Sequence, residues 1–124
     1  MKTTAKDFER FKTYCREWIE VFGLLDYRVH YIHAGGQTGF GRCSTNSVSR
    51  SSLIKLCKDW GHGIDVTDEE LRRTALHEVL HIIMNGTVEL AKARWVQEEE
   101  LDTAEEAAVT RLENAIFSLR EKRR

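Results

Sequence analysis

The stretch Thr67-Asp68-Glu69-Glu70-Leu71-Arg72-Arg73-Thr74-Ala75-Leu76-His77-Glu78-Val79-Leu80-His81-Ile82-Ile83 decides how the rest of the chain is read. Thr67, followed three residues later by Glu70, is a capping-box signature and opens a helix. Leu71, Ala75, Leu76, Val79, Leu80 and Ile83 keep a helical apolar period, and Asn85-Gly86 predicts the exit, with Asn85 as a cap. His77 and His81 stand four apart, hence on one face, one turn above the other. Two imidazoles at that spacing can reach a single ion, and zinc accepts such ligands in tetrahedral geometry. Glu78 lies about 100° round the helix, placed to reach a water on the ion and not the ion itself. The apolar flanks predict a largely buried helix, in which two imidazoles and a carboxylate need partners; a metal and its water satisfy all three. The alternative is a helix with two surface histidines and a solvated glutamate.

Working outward, Phe8, Phe11, Cys15, Trp18 and Phe22 mark an amphipathic helix over residues 3–22, stopped by Gly23. Residues 27–33 read as a strand, Gly35-Gly36-Gln37-Thr38-Gly39 as a turn, and residues 40–46 and 52–58 as two further strands. Short links favour an antiparallel meander. Residues 87–96 read as a short helix and a turn, and a last helix is expected over residues 98–121. Helix, three strands, helix, helix makes an α+β domain, expected to be a single unit over residues 1–124.

A third metal ligand is needed. The extended histidine pattern is absent, because Met84 stands where its glycine would be and Thr87 where its histidine would be. The last helix is rich in carboxylates. Glu105 lies seven residues before Leu112 and so close to the apolar stripe, which makes it the leading candidate. Glu106, one step on, is the runner-up. Glu98, Glu99, Glu100 and Asp102 rank below them, the first three as a solvated charge run.

The run from Thr67 to His81, with Glu105-Glu106-Ala107-Ala108-Val109-Thr110-Arg111-Leu112-Glu113, resembles a minimal gluzincin-type metallopeptidase. It is similar in particular to small metallopeptidase-like proteins of bacteriophages and prophages. The resemblance implies a zincin-like domain in which His77, His81 and Glu105 or Glu106 bind one zinc ion and Glu78 is the general base of peptide hydrolysis. Larger gluzincins also supply a downstream tyrosine or histidine to hold the oxyanion; after His81 this chain has neither. His62, in the loop before the motif helix, is the substitute suggested by position. The alternative function is a non-catalytic binding module in which zinc joins the helices.

Composition narrows the partners. Nineteen Lys and Arg against 20 Asp and Glu give a net charge of −1, which favours neither nucleic acid nor an anionic membrane. The first residues show no signal-peptide pattern, and the three cysteines have no C-x-x-C pair. They suit a reducing compartment, and a cytoplasmic protein is expected. The expected partner is a peptide or protein substrate, with the third strand, Ser52 to Lys58, as the edge along which it pairs. His30 and His33 point to opposite sides of their strand and are read as structural or surface residues.

Overall fold

The computed structural model describes residues 1–36 and 39–122, in six elements. They are α1 (Ala5–Val21), β1 (Arg28–Ala34), β2 (Gly41–Asn46), β3 (Ser51–Cys57), α2 (Asp68–Lys92) and α3 (Glu98–Lys122). The class is α+β, as expected. Gln37 and Thr38 of the expected glycine turn lie outside the described residues.

Helix α1 starts in a reciprocal capping box between Thr4 and Asp7. It buries Phe11, Cys15 and Ile19, and Gly23 ends it with a positive φ of 66°. The face predicted by the aromatic spacing is therefore the buried one, with Ile19 added to it.

The sheet corrects the expected meander. Its strand order is β1-β3-β2, with β1 parallel and β2 antiparallel to β3. Residues 44–53 form the hairpin that was expected. Asn46 Oδ1 accepts from the amides of Val48 and Ser49, and Arg50 turns with a φ of 52°. The segment after β1, however, carries the chain past the position of β3 to the far edge. The cause is composition: Ser51–Cys57 buries Ser52, Ile54, Leu56 and Cys57 and takes the centre, while the polar Gly41–Asn46 takes an edge. Both sides of β3 are thus paired, so it is not the open edge expected for a substrate. That edge is β2.

One face of the sheet is covered by helices and carries Ile54 and Leu56. With Phe11, Leu24, Leu71, Val79 and Ile82 these form the buried core. The other face, with His30, Arg42, Ser44 and Leu53, is exposed.

Helix α2 does not exit at Asn85-Gly86. It runs to Lys92 in one piece, and Ala93 is its C-cap. Gly86 keeps a helical φ, because the helix beyond it is held: Ser47 donates to Glu89 through its hydroxyl and, at 3.4 Å, its amide. Such a tether outweighs the roughly 1 kcal/mol that a mid-helix glycine costs. Helix α3 packs through Ala108 and Ala115, and Arg111 Nη1 donates to the Gly23 carbonyl at 2.6 Å.

Candidate metal centre

Helix α2 turns Leu71, Thr74, Ala75, Glu78, Val79, Ile82 and Ile83 inward. His77 is about 100° from Glu78 and His81 about 60° from it, which puts both at the margin of the buried face. The outcome differs from the expected burial of all three. Both imidazoles are exposed, and Glu78 alone is buried, at 3% accessibility.

The imidazoles converge. His77 Nε2 and His81 Nε2 lie 3.3 Å apart, with the rings edge to face at 77°. Two nitrogens about 2.0–2.1 Å from one tetrahedral ion stand about 3.3–3.4 Å from each other. The pair is therefore spaced as two corners of such a coordination sphere. With one carboxylate oxygen of Glu78, the ligand atoms lie within 4.8 Å of one another. The three residues fit a metal ion on geometry and on donor type.

Glu78 accepts no hydrogen bond from the described residues. Burial pushes its carboxyl above the ordinary range, opposed by the charges of His77, His81 and Arg42. A carboxyl with that shift is nearer the proton affinity a general base needs at neutral pH.

The carboxylate is held under β2 by a contact the sequence reading missed. A β-carbon on Gly41 would meet the Lys55 carbonyl oxygen at 2.8 Å, Thr74 Cγ2 at 3.3 Å and Glu78 Cγ at 3.4 Å. The 2.8 Å approach to the β3 backbone is the one that requires a glycine here. The available signal was a glycine opening a polar strand, which often marks close backbone approach.

Two adjoining clefts meet at the centre. One, of about 530 Å³, is lined by Phe40, Gly41, Glu70, Arg73, Thr74, His77 and Glu78, with Gly39. The other, of about 310 Å³, is lined by Gly41, Arg42, Cys43, His77, Glu78 and His81. Together they form a groove between α2 and the terminal strand β2. Phe40, stacked on Trp60 with centroids 4.4 Å apart, is the aromatic wall of the larger cleft.

Other expected residues lie elsewhere. Glu105 and Glu106 are exposed on α3 and are not gathered with the imidazoles, nor are Glu98, Glu99, Glu100 or Asp102. The buried seam of α3 runs through Ala108 and Ala115, and Glu105 sits about 60° from Ala108, beyond its edge. His62 is exposed and lines neither cleft. Asn85 is inside α2 and caps nothing. His30 is exposed, whereas His33 stacks on Phe8 at 5.0 Å and pairs with Thr3 Oγ1 at 2.7 Å, so the two do part across the strand. Cys15, Cys43 and Cys57 are free thiols, and burial pushes all three up. Among the described residues no helix is long and apolar enough to cross a membrane. Comparison with protein-family models, with curated proteins and with solved structures found no match to this chain.

Proposed function

We infer that this chain is a zinc-dependent peptidase of the minimal gluzincin type, with His77 and His81 as metal ligands and Glu78 as general base. The observation that supports it best is the 3.3 Å separation of the two Nε2 atoms beside a buried carboxylate. Zinc bound there would polarise a carbonyl and acidify a water. Glu78 takes the proton of the attacking water and returns it to the leaving amine. Its burial keeps bulk solvent from competing for that proton. Glu105 is the proposed third protein ligand and Glu106 is the alternative.

The substrate is a peptide in extended form. Strand β2 ends the sheet, so its outer backbone groups are available for strand addition beside His77 and Glu78. That mode gives main-chain affinity with little demand on sequence. A zinc-stabilised binding module is the rival. Among the described residues no other His, Cys, Asp or Glu joins the group, which leaves positions open for water and favours hydrolysis over a closed structural site.

The deciding experiment is metal analysis of the purified protein together with a peptide-library cleavage assay on wild type and Glu78→Gln. Cleavage by the zinc-loaded wild type alone is the expected result. Zinc retained by both proteins with cleavage by neither would favour the binding module.

A further inference from the structure

Hydrolysis of a peptide through attack by water puts negative charge on the carbonyl oxygen. A preorganised donor beside the metal strengthens the hold on that charge in the transition state. No tyrosine or histidine follows His81, and His62 is away from the clefts. The groove itself offers a donor. Resting on the peptidase reading above, we propose that Arg42 of β2 is the catalytic residue that receives the developing oxyanion.

Two cationic side chains belong to residues lining the groove, Arg73 and Arg42. Arg73 Nη1 is 3.9 Å from Glu70 Oε1, and it lies in the larger cleft, away from His81. Arg42 lines the smaller cleft, which holds both imidazoles and Glu78. Among the described residues it has no carboxylate within 4.0 Å, so its guanidinium donors are free for an incoming oxygen.

Its placement is fixed by the fold. Arg42 follows Gly41, which is seated against Glu78, and it is in register with Lys55 of the central strand. Alternation turns residue 42 to the open face of the sheet, where it is exposed. Because β2 is an edge strand, no neighbouring strand separates residue 42 from the cleft that it lines. Lys55, the neighbouring cation, discourages Arg42 from folding back over the sheet. A guanidinium offers a forked pair of donors to an oxyanion and keeps its charge at any working pH.

The test uses zinc-loaded wild type, Arg42→Gln and Arg42→Lys, with folding checked by circular dichroism. Zinc affinity, measured by chelator competition on the metal-free proteins, should agree within about twofold among the three, since Arg42 is not a ligand. Calorimetric binding of a peptide phosphoramidate, a tetrahedral anion, should weaken at least tenfold in Arg42→Gln and less in Arg42→Lys. Binding of a neutral, uncleavable peptide of the same sequence should be unchanged. Turnover of a cleavable peptide should fall about 100-fold in kcat with little change in KM, the usual cost of one oxyanion donor. Equal phosphoramidate affinity in wild type and Arg42→Gln would overturn the assignment, as would parallel losses for the anionic and neutral ligands. Wild type that holds zinc yet binds no phosphoramidate and cleaves nothing would remove the peptidase reading, and this assignment with it.

Discussion

Gly41 and Glu78 are neighbours across the seam between strand and helix: a β-carbon on Gly41 would stand in contact with Glu78 Cγ, at 3.4 Å. The tighter restraint is behind it, where the same carbon would come within 2.8 Å of the Lys55 carbonyl oxygen. That oxygen belongs to the backbone of the central strand and has little freedom to move. An alanine there is therefore accommodated only by shifting β2 against its sheet partner β3.

Gly41→Ala should consequently cost about 1–3 kcal/mol, the usual range for overpacking a filled interior. Urea denaturation at pH 7 measures it. Turnover should fall as well, because Glu78 loses its cover, while zinc affinity should hold, since both imidazoles belong to α2. An alanine variant as stable as wild type would show that β2 is not seated this way in solution.

His77→Ala and His81→Ala should each weaken zinc binding by about 100-fold or more, since one imidazole cannot replace a converging pair. Chelator competition reads this directly. The two losses should not add in the double variant, because either alone dismantles the pair.

Glu78→Gln should retain zinc and lose hydrolysis by about 10²–10⁴-fold. Its effect on the metal-free protein has the opposite sign. The folded-state pKa of Glu78 is raised by burial, so the folded protein binds its proton more tightly than the unfolded chain does. Stability is then greatest below the unfolded pKa and declines as pH climbs through the raised folded value. The glutamine variant escapes that decline. Its melting temperature should exceed that of wild type by roughly 2–5 °C at pH 7, and the gap should close at pH 4. A gap that persists at pH 4 would point to packing and not to charge.

Glu105→Ala should weaken zinc binding about tenfold or more, as loss of a third ligand would, and Glu106→Ala should not. Both glutamates are exposed, so neither change should move the melting temperature of the apoprotein by more than about a degree. Zinc affinities equal to wild type in both variants would leave the sphere to two imidazoles and water.

Local signals were legible where local chemistry decides the outcome. The Thr67 cap, the spacing of His77 and His81 and the Gly23 stop all depend on neighbours within a turn or two. The Asn85-Gly86 exit failed because Ser47, about 40 residues away, anchors Glu89 and keeps the helix going. The meander failed for a similar reason. Strand order depends on which strand most needs cover on both flanks, and the apolar Leu53-Ile54-Lys55-Leu56-Cys57 segment outranked the polar Gly41–Asn46. The exposure of the imidazoles beside a buried glutamate follows from where the helix margin falls. The apolar run alone does not locate that margin, since it surrounds all three residues.

Strand β2 is fastened to α2 at two places, Gly41 against Glu78 and Ser47 against Glu89. The strand covers roughly 20 Å between them and the helix roughly 16 Å, so the two run side by side along the whole groove. Two rivets fix a hinge that one would leave free to swing. On the peptidase reading the groove is a slot and not a jaw, and the peptide it takes would enter already straightened.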